Sequence, residues 1–207
     1  QDCRVLRCPA AAYAIRDVAE ARIETCSAVQ GGGSGFEVEG GRGVRLVGNV
    51  AGLNQGAGYA IRSSGAWVMA NNANNNLRDG IVVENAADVR LAGSTCAANN
   101  QAGETHAGIR LAGGARNARL LFNNCGDDQI RATQRVGIRE EPGAGPNEIR
   151  FNSTATAATR RGHEQEPSLL LLGTGSAASD NWTETILPSN DSLEGLARQT
   201  GAAADGR

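Results

Sequence analysis

One short phrase recurs five times in this chain, each time led by glycine. It stands as Gly35-Phe36-Glu37-Val38, Gly58-Tyr59-Ala60-Ile61, Gly80-Ile81-Val82-Val83, Gly108-Ile109-Arg110-Leu111 and Gly137-Ile138-Arg139-Glu140. The glycines are 23, 22, 28 and 29 residues apart, and a weaker copy, Ala12-Tyr13-Ala14-Ile15, lies 23 residues before the first. A near-constant period of this size is the mark of stacked units that bury a core only together.

About ten residues after each glycine comes a second apolar phrase: Val44-Arg45-Leu46, Trp67-Val68-Met69, Val89-Arg90-Leu91, Ala118-Arg119-Leu120 and Glu148-Ile149, with Ala21-Arg22-Ile23 before them. Each unit therefore holds at least two strands. The phrases are short and alternate in polarity, as strands with one buried face do. Helical repeats need amphipathic runs of ten or more residues, and none occurs between Gly31 and Arg160. A parallel β-helix remains, in which each strand pairs with its counterpart one turn along, about 4.8 Å away.

Aligning the second phrases on Leu46, Met69, Leu91, Leu120 and Ile149 places Asn49, Asn72, Ser94, Asn123 and Asn152 in one column. Stacked amides bond to each other and to turn backbone, and Asn tolerates the left-handed conformation of a sharp corner. The same alignment points Trp67 into the coil. Composition fits a solenoid: 28 glycines and seven aromatic residues among 207 would starve an ordinary core. Glycine is expected at the corners.

The formal charge of −2, spread without blocks, gives no electrostatic reason to expect nucleic acid or an anionic membrane as partner. No window is apolar enough for a membrane span. All 20 basic residues are Arg, which excludes a Lys nucleophile or base. The chain starts at Gln1 without a charged and apolar leader, as a processed chain or a fragment would.

Five cysteines, Cys3, Cys8, Cys26, Cys96 and Cys125, show no zinc spacing. If Leu91 aligns with Leu120, Cys96 and Cys125 fall on adjacent coils with Cα atoms roughly 5 Å apart, as a disulfide or as a reduced ladder of small buried side chains. Cys3 and Cys8 flank a short segment and are a second candidate pair. Two bridges would argue for secretion.

The expected organisation is an all-β parallel β-helix of about six to seven coils over residues 1–175, with a tail over 176–207. Ser168 to Gly173 reads as a last buried strand. Asp191 to Arg198 reads as a short helix, followed by a disordered end.

The glycine phrases with Asn-rich corners, together with Asp127-Asp128-Gln129, the Thr133 to Glu141 segment and Asn147 to Asn152, resemble the C-terminal coils of the pectate-lyase-like right-handed parallel β-helix superfamily. The resemblance spans about residues 12–175. It implies a right-handed coil, and its members include polysaccharide lyases, glycoside hydrolases, epimerases, carbohydrate-binding tailspikes and proteins without activity. The superfamily's usual aspartate-rich start with a capping helix is not seen in these residues. Gly126-Asp127-Asp128 matches three letters of the polygalacturonase-type hydrolases, but their companion Asn-Thr-Asp, Gly-His-Gly and Arg-Ile-Lys segments are missing, so that site is not carried over.

Two coils are lengthened at one place, Asn99 to Thr105 and Asp127 to Arg135, and inserted loops on one edge of a solenoid commonly form its working face. The expected catalytic group is Asp127, Asp128, His106 and Arg131, with Glu104, Arg135 and His163 as substrate-binding residues. Hydrolysis needs two carboxyls about 5 to 9 Å apart. Elimination needs a base, His106 or Arg131, and a cation beside a uronate carboxyl. Asp127, Asp128 and Glu104 could hold Ca²⁺ through oxygen ligands, although no calcium-loop spacing is present.

The residues also have structural explanations: Asp127 and Asp128 as turn formers, and Arg131 and Arg135 as surface partners of Glu140 or Glu141. The expected function is a secreted or extracellular protein that binds a polysaccharide along the coil face and cleaves it as a lyase or hydrolase. The alternative is a non-catalytic glycan-binding or structural module, adhesin or tailspike-like, which the scarcity of aromatics for sugar stacking favours.

Overall fold

A computed structural model of the chain describes residues 2–103, 105–127, 129, 132–154, 168–181 and the backbone of 186–187. These residues form a right-handed parallel β-helix with three sheets and no helix. Sheet 1 has eight strands: β2 (Tyr13–Arg16), β5 (Phe36–Arg42), β8 (Tyr59–Ser64), β11 (Ile81–Glu84), β13 (Ala107–Ala112), β15 (Val136–Glu140), β17 (Leu169–Leu171) and β19 (Ile186–Leu187). Sheet 2 has seven: β3 (Arg22–Glu24), β6 (Arg45–Val47), β9 (Trp67–Met69), β12 (Arg90–Ala92), β14 (Arg119–Leu121), β16 (Glu148–Arg150) and β18 (Ala177–Ser179). Sheet 3 has four: β1 (Arg4–Leu6), β4 (Ser27–Val29), β7 (Val50–Gly52) and β10 (Asn72–Asn74), continued by single bridges through Thr95, Asn124 and Ser153.

Sheet 1 is the glycine phrase stacked on itself. Phe36, Tyr59, Ile81, Ile109, Ile138 and Leu169 occupy one register, and the rings of Tyr13, Phe36 and Tyr59 stack with centroids 4.6 and 4.8 Å apart. The glycines are required by space. A Cβ on Gly80 would come within 2.5 Å of the Gly108 carbonyl and 2.7 Å of the Asn99 amide, and a Cβ on Gly58 would meet Gly80 in the same way. These strand-entry glycines do not take a left-handed φ and serve to let neighbouring rungs close, whereas the glycines expected at corners are found at other positions, among them Gly48, Gly65 and Gly93, all with positive φ.

In sheet 2 the register is Leu46, Val68, Leu91, Leu120, Ile149. Val68 is buried and Met69 is exposed, so aligning on Met69 is a slip of one residue. Side chains alternate between faces, so one residue of slip inverts all of them. Two expectations change together. Trp67 points outward, half-exposed, and the corner amide is Asn71, not Asn72.

The Asn ladder then runs through Asn49, Asn71, Ser94, Asn123, Asn152 and Asn181. Asn49 Nδ2 donates to Asn71 Oδ1 at 3.1 Å, and Asn123 Nδ2 donates to Asn152 Oδ1 at 2.9 Å. Each amide oxygen also accepts the backbone N–H of the rung before it, and each amide nitrogen reaches a carbonyl of sheet 2. Buried amides thereby meet the hydrogen-bonding demand that burial imposes. A second ladder, unforeseen, fills the corner after sheet 3 with Asn54, Asn76, Asn99 and Gln134.

At the corner after sheet 2 the left-handed residue is the one before the ladder position. After sheet 2 the positive-φ column is Thr25, Gly48, Ala70, Gly93, Phe122, Phe151 and Asp180. The amides themselves keep ordinary backbone, so their role is to bond.

Register also places Cys96 and Cys125 in one interior column with Ala28, Ala51 and Ala73, both fully buried as free thiols. Cys3 and Cys8 are free as well, and Cys3 stacks below Cys26. Residues 4–6 form β1 and pair with β4. Ser168 to Gly173 contains β17, but it is not the last strand, because β18 pairs with β16 and β19 with β17. The expected helix from Asp191 and the end beyond Gly201 lie outside the described residues.

Candidate functional site

The entry to sheet 1 at the two lengthened coils carries a cluster of charged and polar side chains centred on Asp79. Asp79 ends the turn before Gly80 and is buried. Its Oδ1 accepts the Ala107 N–H at 2.9 Å, while Oδ2 accepts Arg110 Nε at 3.0 Å and lies 3.2 Å from His106 Nδ1. Both partners come from the next coil, His106 just before β13 and Arg110 on its outward face.

Burial alone would raise the Asp79 pKa, but the His106 hydrogen bond, the Arg110 charge and the Ala107 N–H outweigh it and hold the carboxyl below its ordinary value. Burial acts to lower the Arg110 pKa, and Asp79, Glu141 and Glu84 reverse that, so the guanidinium is held charged more firmly than usual. A carboxylate on Nδ1 fixes the ring's orientation and favours a proton on that nitrogen.

One rung on, Arg139 stacks over Arg110 by register, its Nε 2.8 Å from Glu141 Oε1 and one terminal nitrogen donating to the Thr105 carbonyl at 3.3 Å. Pairing of Ala107 with Val136 makes His106 and Arg135 neighbours on successive rungs. The structure thus brings two expected residues, His106 and Arg135, together with Asp79, Arg110 and Arg139, which sequence reasoning missed. Asp79 reads locally as a turn former before glycine, and 27 residues separate it from His106.

Asp127 is placed differently. It is fully buried, its Oδ1 accepts the Gln129 N–H at 3.2 Å, and its Oδ2 accepts those of Thr133 at 3.0 Å and Gln134 at 3.1 Å. The carboxylate closes its own loop and sets Gln134 into the second amide ladder, where the Gln134 side chain donates to the Cys125 carbonyl at 2.6 Å. Both oxygens face that loop's backbone, the turn-forming role foreseen as its structural explanation.

Glu140 is not a surface partner for Arg131 or Arg135. Alternation along β15 turns it inward between Leu111 and Leu171, where it accepts from Asn147 and Ser176 at 2.6 Å each. Asp128, Arg131, Glu104 and His163 lie outside the described residues. Among the described residues, no group of three or more His, Cys, Asp or Glu is placed to hold a metal ion.

The sequence model for the right handed beta helix region matches residues 1–153. A sequence search of curated proteins found no match. Among solved structures, the mannuronan C-5 epimerase AlgE4 A-module of Azotobacter vinelandii is similar, with a TM-score of 0.71 and 16% identity over 91% of this chain and 54% of that one. The periplasmic alginate epimerase AlgG, as a T265N mutant, gives a TM-score of 0.58 and 13% identity over 89% of this chain and 51% of that one. The AlgE6 A-module of Azotobacter vinelandii gives 0.52 and 14% over 83% and 59%. The chain spans about half the length of these structures, and at such identities the likeness is one of fold.

Proposed function

The chain belongs to the right-handed β-helix family, and on that premise we propose that it is a carbohydrate-active protein acting on an acidic polysaccharide laid along the outer face of sheet 1. The observation that carries this reading is the buried Asp79 holding both His106 and Arg110 at the entry to β13. Removing the proton beside a uronate carboxyl requires a base and positive charge on that carboxyl. His106 supplies the base, Arg110 and Arg139 supply the charge, and Asp79 positions the first two. Proton removal is the common first step of elimination and of epimerisation. The fold neighbours bearing the name epimerase support the second outcome as much as the first.

Asp128 and Arg131 stay in the proposal as catalytic groups, and Glu104 and His163 as substrate-binding ones. Hydrolysis receives less support, because Asp127, one of its expected carboxyls, is turned into its own loop. An extracytoplasmic location accompanies this reading, in keeping with the periplasmic neighbour.

The test is to incubate the chain with polymannuronate, alginate and polygalacturonate, following unsaturated product by absorbance and sugar configuration by NMR. Change in either signal, abolished in His106→Ala with the fold retained, is the expected result. No change with any uronan, or full activity in His106→Ala, would overturn it.

A further inference from the structure

We propose that the outer face of sheet 2 is a second, non-catalytic track for acidic polysaccharide, running along the coil axis. It rests on the preceding reading for the class of glycan, and on a different set of residues for the site. Parallel pairing puts Arg22, Arg45, Trp67, Arg90 and Arg119 in one outward column. At about 4.8 Å per coil the column is about 19 Å long.

Arg45 and Arg90, on the rungs either side of Trp67, lie with their guanidinium carbons 5.3 and 4.7 Å from its ring centre. Arg22 bonds Glu24 at 2.6 Å and Arg119 bonds Glu148 at 3.2 Å. Among the described residues, no carboxylate lies within ion-pair distance of Arg45 or Arg90. Two guanidiniums at the middle of the strip are therefore held against the Trp67 ring without a direct carboxylate partner among the described residues.

The surface around the column is shaped. Three hollows follow one another along it, of about 390, 260 and 500 Å³, with Trp67 shared by the first two and Arg90 and Arg119 by the last two. Beside the arginines runs an aliphatic stripe of Val47, Met69, Ala92 and Leu121. Beyond it, at the corner, the rings of Phe122 and Phe151 stack at 5.1 Å, 64% and 47% exposed. Both occupy the left-handed position, where a bulky residue is an outlier and glycine, as at Gly93 one coil earlier, is unstrained.

This order matches an acidic glycan. Carboxylates pair with guanidinium forks, the C–H faces of pyranose rings lie on aliphatic and aromatic surface, and a pyranose residue advances by about one coil rise. Glu20, Asp88 and Glu148 also line the hollows. They accept hydrogen bonds from sugar hydroxyls, donors that a DNA backbone lacks, which favours a glycan as the occupant.

The test titrates the chain, and separately His106→Ala, with a hexauronate while reading tryptophan emission and heat. Expected are binding that weakens with salt, a loss of about tenfold in affinity for Arg45→Gln and for Arg90→Gln, no emission change in Trp67→Phe, and unchanged affinity at the strip in His106→Ala. Wild-type affinity in both Arg variants, or binding of single-stranded DNA with none of the hexauronate, would overturn the track. Turnover of uronan with no effect of the Arg variants sinks the track and leaves the His106 reading intact. Binding that depends on Arg45 and Arg90 without any turnover supports the track and sinks the other.

Discussion

Asp79 Oδ2 lies 3.2 Å from His106 Nδ1 across the boundary between two coils, and the same oxygen accepts from Arg110. The carboxylate is buried, so neutralising it leaves an arginine and an imidazole beside an uncharged side chain.

Asp79→Asn is expected to lower stability by about 3 kcal/mol at neutral pH. The folded-state pKa of Asp79 is depressed below the ordinary 3.8, so its contribution is complete above 3.8 and is lost as pH falls from there through the lower folded-state value. Urea midpoints of the two proteins should be well separated near about pH 7 and draw together only as pH falls below about 4. An equal gap in both ranges would show that the charge is not what matters.

The two asparagines at the corner after β9 should differ sharply. Asn71→Ala strands the Leu46 carbonyl and the backbone and side-chain N–H groups of Asn49, at a cost of about 4 kcal/mol. Asn72 sits outside the ladder, and Asn72→Ala should cost under about 1 kcal/mol. Thermal melts of the pair test the register itself, and reversed costs would refute it.

Two glycine substitutions separate lack of space from lack of conformational freedom. In Gly80→Ala the new methyl meets the Gly108 carbonyl and the Asn99 amide, and about 3 kcal/mol should be lost. At Gly93 nothing lies within 4 Å and φ is +62, so Gly93→Ala should lose only about 1 kcal/mol of left-handed strain, as Ala70 already bears in the same column. Denaturant titrations giving the opposite order would contradict the close-packed rungs.

Cys96 and Cys125 are buried thiols, and burial, followed by the contact with Cys96, pushes the Cys125 pKa up. Thiolate is the reactive form. Neither should be alkylated in the folded protein, and both should react once it unfolds, with no reductant required. Rapid native labelling, or labelling only after reduction, would contradict the packed pair of thiols.

Sheet 1 was legible in the sequence because its glycines mark every rung and its apolar residues alternate. Sheet 2 was legible except at one place. Trp67, Val68 and Met69 are all apolar, and two asparagines follow at 71 and 72, so neither polarity nor residue type reveals the register there. Sheet 3 was missed, since its strands are three residues long and built partly from Ser, Ala, Gly and Asn, which carry little strand signal.

The lengthened loops and His106 were visible from spacing. Asp79 was hidden because its partners come from a different coil, and the arginine column because a half-exposed tryptophan had been counted as core.

The tight stacking of Gly58 under Gly80 under Gly108 makes every level of the coil interchangeable with the next in its main-chain geometry. Duplicating or deleting one whole repeat would keep all rungs closed while moving the ends of the arginine column by one step. The fold is in that sense a ruler: on the proposed track, the number of sugar units gripped would be set by counting repeats, and selection could lengthen or shorten that grip one coil at a time.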